Sequence, residues 1–312
     1  MLDFYDCFTV GEGPRMEPEV ALSYVREGKD KVLDMMINFA HMEADCFITD
    51  FLQRPFDLIK LKKAFTKWQT KMYGKGWNAL YMENHDHPRI ISRYGSEKYR
   101  VESGKSIAAS YLFQRGTPFV YQGQEIGMIN TPLPSLDDYK DIMVKNNARI
   151  ARSLGLSKET VLKLAQKASR DNARTCMQWS GAPNAGFTSG KPWFVVNSNY
   201  KDINVESQLD DPDSILNFYR DALQFRRDNP VVIYGDYVEH TPKSKELYVY
   251  ERNLAGKKLL VICSYSEKCV RFDAPDSITL DETKQVFGNY DNNFVISNGF
   301  TTRPYEMRVY LF

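Results

Sequence analysis

The sequence predicts an α/β chain, with a parallel sheet and its crossover helices over residues 1–230 and a small antiparallel β-sandwich over residues 231–312. Three observations predict it. Apolar runs rich in β-branched and aromatic residues end in polar clusters at Gly11-Glu12, at Glu83-Asn84-His85-Asp86-His87-Pro88-Arg89 and at Gln122-Gly123-Gln124-Glu125, which is how a (β/α) barrel presents reactive groups at the C-terminal ends of its strands. Strand and helix patterns alternate every few tens of residues, as parallel strands joined by crossovers require. Beyond Val231 the pattern turns to short strands separated by turn residues. Four strand–helix units are visible, about half of what a closed barrel of roughly 250 residues holds.

The elements follow in order. Phe4–Val10 reads as a short buried strand ending at Gly11, and Pro18–Gly28 as a short helix. Met35–Phe39 is the second strand, ending near His41 and Glu43. Asp57–Tyr73 is an amphipathic helix with Leu58, Leu61, Phe65 and Trp68 at helical spacing. Asn78–Met82 is the third strand, Arg100–Phe113 the next helix, and Gly116-Thr117-Pro118 turns the chain into a fourth strand, Phe119–Tyr121. Residues 131–200 form a polar excursion, with helices expected at 137–154 and 158–169. Asp211-Pro212 is expected to cap a helix striped by Ile215, Phe218, Tyr219, Ala222 and Phe225, stopped by Asn229-Pro230. Leu247–Tyr250, Leu259–Ile262 and Met307–Leu311 are the clearest strands of the sandwich.

Composition narrows the function. The 312 residues are 43% hydrophobic and 26% charged, as in ordinary globular proteins. A net charge of +1 gives no electrostatic reason to expect nucleic acid or an anionic membrane as partner. Five cysteines without C-x-x-C spacing indicate neither a zinc site nor a disulfide framework, and they suit a reducing compartment. The first residues carry acids where a signal peptide needs basic ones, and no run approaches a membrane span, so a cytoplasmic location is expected.

The candidate chemical groups divide unevenly. Glu12, past a predicted strand end, reads in isolation as a solvated turn glutamate. Asp86, crowded by His85 and Arg89 where unmatched charge is costly to bury, fits a structural Asp–Arg pair and a functional carboxylate equally well. His41 reads as structural. Gly123 and Gly127 suggest a phosphate loop, but no G-K-[ST] follows. Two carboxylates from different strands of one barrel suit glycoside hydrolysis, which requires neither metal nor organic cofactor.

The joint order of Phe8-Thr9-Val10-Gly11-Glu12, Trp77-Asn78-Ala79-Leu80, residues 83–89, residues 121–128, Arg170-Asp171-Asn172-Ala173-Arg174-Thr175-Cys176-Met177-Gln178-Trp179, Gly186-Phe187-Thr188, Pro192-Trp193 and Arg303-Pro304-Tyr305-Glu306 resembles the C-terminal portion of an α-amylase-family glycoside hydrolase of family thirteen. The nearest group comprises oligo-1,6-glucosidases, dextran glucosidases and trehalose-6-phosphate hydrolases. The resemblance implies strands five to eight of a (β/α)8 TIM barrel, followed by the sandwich domain. It implies Glu12 as general acid/base, with a pKa raised to hold its proton, and Asp86 as the carboxylate that binds sugar hydroxyls and stabilises the transition state. His85, Arg174 and Arg89 would bind substrate, although for Arg174 a structural salt bridge holding the excursion to the barrel stays open.

Two departures from the family pattern, His87 for Gln and Cys176 for Pro, bear on the pocket rim. Only 11 residues precede Glu12, so the family's nucleophilic aspartate, after the fourth strand, has no counterpart here. The expectation is an α-glucosidase portion acting on small oligosaccharides, inactive alone, that needs an N-terminal half-barrel partner chain or self-associates. The alternatives are a non-catalytic carbohydrate- or partner-binding remnant and a trehalose-6-phosphate hydrolase. Linkage preference is not readable, beyond a lean from Glu83 toward the dextran-glucosidase side.

Overall fold

A computed structural model describes residues 5–28, 31–47, 51–291 and 298–312. Strand β1 is Val10–Gly13, followed by helix α1 (Pro18–Val25) and strand β2 (Met35–Asn38), and β1 and β2 pair in parallel, with Glu12 opposite Ile37. Helix α2 (Leu58–Met72) leads to β3 (Ala79–Leu80); α3 (Ile90–Tyr94) and α4 (Arg100–Leu112) lead to β4 (Thr117–Pro118), which pairs in parallel with β3. A parallel bridge from Met36 to Asn78 joins the two pairs, so the strands lie in the order β1-β2-β3-β4.

Several expected boundaries move. Phe4 lies outside the described residues, and the first strand begins only at Val10. Glu12 is therefore within β1 and not past its end. The third strand shrinks to two residues, and the fourth is displaced: its two residues, Thr117–Pro118, stand where a turn was expected, ahead of the expected Phe119–Tyr121. Pro118 has no N–H to donate, and the ladder closes instead through the Thr117 N–H to Asn78 O (2.8 Å) and the Phe119 N–H to Leu80 O (2.7 Å). Gly116 takes φ +143°, and a Cβ there would stand 2.5 Å from Asn78 O, so only glycine lets the strands approach.

The excursion contains helices α5 (Ile142–Ser153) and α6 (Lys158–Ala168), which close their own core around Phe51, Tyr139, Val144, Val161 and Ala165. After α7 (Val205–Leu209), helix α8 (Ile215–Asp228) is capped by Ser214, whose hydroxyl accepts the Asn217 N–H at 3.1 Å. The expected Asp211-Pro212 cap is thus displaced: Asp211 closes only the preceding turn, accepting from the Asp213 N–H. Pro230 ends α8 by opening the one-turn helix α9 (Pro230–Tyr234).

Strands β5 (Val238–Glu239), β6 (Leu247–Leu254), β7 (Lys257–Ser264), β9 (Gln285–Gly288) and β11 (Met307–Leu311) form an antiparallel sheet in the order β5-β6-β7-β11-β9. A second pair, β8 (Val270–Asp273) with β10 (Gly299–Thr302), is also antiparallel. Phe272 and Phe300 of that pair pack with Leu247, Val249, Leu260 and Ile262 of the sheet.

Helix α4 is the centre of the molecule. Ser103 to Leu112 are all buried, and the small side chains of Gly104, Ser106, Ala108, Ala109 and Ser110 admit neighbours on every side. One continuous core joins Ile107, Tyr111 and Leu112 to Phe218 of α8 and to Tyr248, Val261 and Val309 of the sheet; each such side chain contributes about 1.5–3 kcal/mol by burial. The carbonyls at the α4 C-terminus, which no further turn can satisfy, accept from two buried arginines. Arg226 Nη1 donates to Leu112 O (2.8 Å) and Gln114 O (2.6 Å), and Arg252 Nη1 donates to Phe113 O (3.0 Å). Burial pushes both guanidinium pKa values down to about 10. Among the described residues no helix is long and apolar enough to cross a membrane.

Removing the α8 cap tests this local account. Ser214→Ala is expected to lower stability by about 1 kcal/mol, seen as a lower denaturant midpoint at unchanged slope.

Candidate active site

The ends of β1 and β3 carry the two carboxylates that the sequence singled out, and both open into one cleft of about 580 Å³. Glu12 enters from β1 and is exposed. Asp86 enters from the turn after β3, where its own N–H donates to Asn84 Oδ1 at 2.9 Å. Asn84 Oδ1 also lies 2.8 Å from His87 Nδ1, so this asparagine sets the shape of the turn. Phe39, Glu43, His87 and Arg15 complete much of the wall.

Three side chains hold Asp86. Arg174 Nη2 donates to Asp86 Oδ1 at 2.7 Å while its Nε donates to His85 O at 2.8 Å, so one guanidinium clamps both the carboxylate and the backbone beside it. His85 Nε2 lies 3.5 Å from Asp86 Oδ2. Arg170 Nη1 reaches Asp86 Oδ1 at 3.4 Å while its Nε and Nη2 bind Asp141 Oδ1 at 2.9 and 2.5 Å. Asp141 is buried, which opposes its charge, but the hydrogen bonds from Arg170 and backbone N–H groups hold its carboxyl below the usual range. Asp171 Oδ2 accepts the N–H groups of Lys140 and Asp141, tying the α5–α6 excursion to the site.

The sequence reading missed Arg170 as a site residue, although it stands four positions before Arg174. A 3₁₀ turn at Arg170–Ala173 brings both arginines onto Asp86, and no spacing rule for a helix or strand exposes that.

Arg89 lies elsewhere. Its side chain is fully buried beneath the cleft and lines none of it. Nη1 donates to Glu83 Oε2 (3.0 Å) and Gln122 O (2.7 Å), Nη2 reaches Ala173 O at 3.5 Å, and the backbone N–H donates to Asn130 Oδ1 (2.9 Å). The expected substrate contact is therefore replaced by a structural tie between three loops. Glu83 is its partner and also accepts the Ile90 N–H at 2.8 Å, so the residue behind the linkage lean does not face the cleft. Burial pushes the Glu83 carboxyl up, and Arg89 pulls it part of the way back.

The loop after β4 is shaped by Gly123, at φ +87°, where a Cβ would meet Met128 Sδ at 2.3 Å. Beside this loop opens a second hollow of about 420 Å³, lined by Tyr121, Glu125, Trp179, Phe187 and Trp193, together with Arg174, whose guanidinium reaches from there to Asp86. The two departures divide between the sites: His87 lines the cleft, and Cys176, buried, lines the hollow. His41 is buried under the cleft, its ring stacked on Phe65 at 5.2 Å and edge-on to Tyr81 at 4.5 Å. Burial pushes its pKa down to about 3. Among the described residues no group of three or more His, Cys, Asp or Glu side chains is placed to hold a metal ion.

Chemically, the cleft offers an exposed carboxylate on one strand facing the same space as a carboxylate held rigidly on another. That suits proton transfer at one point and stabilisation of positive charge at a second.

Two consequences are measurable. Arg89→Ala leaves Glu83 buried without its partner and is expected to cost about 3–5 kcal/mol, far more than Arg174→Ala in the same denaturant titration. His41 stays neutral in the folded chain while the unfolded chain binds its proton below about pH 6.5. Its contribution is therefore complete above that pH and falls by about 1.4 kcal/mol per pH unit on acidification toward about 3. A melting series from pH 7 to 4 is expected to fall more steeply for the parent chain than for His41→Phe.

Comparison with known proteins adds the following. A family profile for the α-amylase catalytic domain matches residues 1–235. The oligo-1,6-glucosidase of Parageobacillus thermoglucosidasius is 40% identical over 314 residues, covering 99% of this chain and 56% of that protein. The trehalose-6-phosphate hydrolase of Bacillus subtilis is 36% identical over 310 residues, covering 98% and 55%. Among solved structures, trehalose-6-phosphate hydrolase of Bacillus licheniformis superposes with a TM-score of 0.94 at 39% identity, covering 100% of this chain and 57% of that one. Isomaltulose synthase from Klebsiella sp. LX3 gives 0.93 at 31% identity, covering 100% and 56%. The chain thus spans about half the length of the relatives it matches.

Proposed function

The chain belongs to the α-amylase family, and on that premise we propose that it carries the acid-bearing portion of an exo-acting α-glucosidase that releases terminal glucose from short, chiefly α-1,6-linked oligosaccharides. The observation that carries this reading is that Glu12 and Asp86, from different strands, share one cleft. The similarity to an oligo-1,6-glucosidase supports the linkage.

In this reading residues 1–230 supply strands five to eight of a (β/α) barrel and residues 231–312 a sandwich domain, in a protein that works in the cytoplasm. Glu12 protonates the departing oxygen and then activates water. Asp86 accepts sugar hydroxyls and stabilises the oxocarbenium-like transition state, its carboxylate aimed by Arg174 and Arg170. His85 and Arg174 edge the glucose-binding end. The nucleophilic aspartate of a retaining double displacement comes from a segment outside these 312 residues, so the chain by itself turns nothing over.

One observation favours a second substrate. Among the described residues Arg15 lines the cleft without an acidic partner, and a phosphorylated disaccharide such as trehalose-6-phosphate would use such a cation.

The test joins this chain to the part of the Parageobacillus oligo-1,6-glucosidase that it does not cover. Glucose release from isomaltose is expected from the joined protein and not from the chain alone, with Glu12→Gln reducing it about 10²–10⁴-fold. A folded joined protein that leaves isomaltose intact sinks the reading, and selective cleavage of trehalose-6-phosphate, lost in Arg15→Ala, transfers it to the second substrate.

A further inference from the structure

We infer that His87 selects the leaving group: its bare Nε2 accepts a hydroxyl of the departing sugar, so that a sugar is preferred there over a leaving group without hydroxyls. The proposal rests on the hydrolase reading for which sugar unit lies against the ring, and on the ring's own contacts for the acceptor.

The position of the ring proton follows from the turn after β3. Asn84 Oδ1 accepts the Asp86 N–H at 2.9 Å, which identifies that atom as the carbonyl oxygen of the amide. An amide oxygen only accepts, so His87 Nδ1, 2.8 Å from it, carries the proton. The other ring nitrogen, Nε2, is then a bare acceptor. A second proton is opposed. Burial, with Arg93, His41, His85 and Arg170 nearby, pushes the His87 pKa well below the ordinary imidazole range.

The ring is also fixed in place. Phe39 packs against it with centroids 6.0 Å apart, and only 5% of the residue is exposed. That remnant lines the cleft that holds Glu12 and Asp86. Among the described residues no group donates to Nε2, and the atom is not closed off from solvent. An acceptor held in this way takes its hydrogen bond from whatever fills the cleft.

The neighbours decide which sugar unit that is. In the hydrolase reading Glu12 protonates the oxygen between the two units, and Asp86 holds the terminal glucose. His87 shares its wall with Glu12, Arg15, Phe39, Met42 and Glu43. Arg174, at the glucose-binding end, lines the neighbouring hollow instead. The imidazole therefore faces the unit that leaves. The Gln of the family pattern could turn either an N–H or a carbonyl toward that unit, whereas His87 offers the acceptor alone. A pocket acceptor of this kind discriminates against a partner that lacks the hydroxyl.

Two measurements test this. Nitrogen NMR of the histidine-labelled chain at neutral pH is expected to show His87 protonated at Nδ1 and bare at Nε2, the signals being assigned by their loss in His87→Gln. In the joined protein carrying Glu12→Gln, which leaves isomaltose uncut, added isomaltose is expected to shift the Nε2 signal. Kinetics of the joined protein supply the second measurement. His87→Ala is expected to raise KM for isomaltose about five- to tenfold while KM for nitrophenyl α-glucoside, whose leaving group has no sugar hydroxyl, changes less than about twofold. His87→Gln, whose carbonyl can accept the same hydroxyl, is expected to recover most of the loss.

A ring protonated at Nε2 overturns the proposal, as does an Nε2 signal that isomaltose leaves unmoved, whether or not the joined protein cleaves. Equal losses on the two substrates in His87→Ala also overturn it, by making the residue structural. A shifted Nε2 signal in a protein that cleaves neither substrate upholds the acceptor and rejects the hydrolase reading. Cleavage with Nε2 unmoved does the reverse, so the two fail separately.

Discussion

The Arg89 guanidinium is the interaction on which the site depends. It sits beneath the cleft and touches the strand-end acid Glu83, the carbonyl of Gln122 in the loop after β4, and the carbonyl of Ala173 in the segment that presents Arg170 and Arg174. Each loop alone is irregular and short of backbone partners. A planar group with donors in fixed directions can bind all three at once, and burial with Glu83 gives it a charged partner without which it would be too costly to keep there. Asp86 and its two arginines stand on loops that this one side chain joins.

A second constraint works at the other end of α4. That helix is buried along nearly its whole length, so its final carbonyls cannot turn to water. Arg226 from α8 and Arg252 from β6 donate to them instead. The same two arginines therefore tie the parallel strands' crossover helices to the antiparallel sheet, and one hydrophobic core runs across both. Rigidity at the strand ends follows, because the helix behind them is held on all sides.

Much of this was legible in the chain because periodicity reports burial. The stripe Leu58, Leu61, Phe65 and Trp68 lies on α2, and Ile215, Phe218, Tyr219 and Ala222 on α8, all buried. The short parallel strands were less legible: two-residue ladders such as Ala79–Leu80 carry no alternation to detect, and β4 falls on Thr117–Pro118, where Gly and Pro read locally as a turn. Ser214 and Asp211 are both good caps in the sequence, and in the fold the Ser214 hydroxyl accepts the Asn217 N–H while donating to the Gln208 carbonyl, a contact that no local pattern announces.

The order of motifs from Glu12 to Trp193 was enough to identify the family, because strand-end polar clusters survive as local patterns. It was enough also to place Glu12 and Asp86 on separate strands. Which polar groups meet was a different matter. Arg89 and Arg174 look alike in the sequence, yet one is buried against Glu83 and the other reaches Asp86 from 88 residues away. Arg170 joins it only because Asp141 and Asp171 draw the excursion back over the strand ends. Contacts between distant residues depend on how loops pack after the sheet forms, and that three-dimensional arrangement leaves no period in the chain to read.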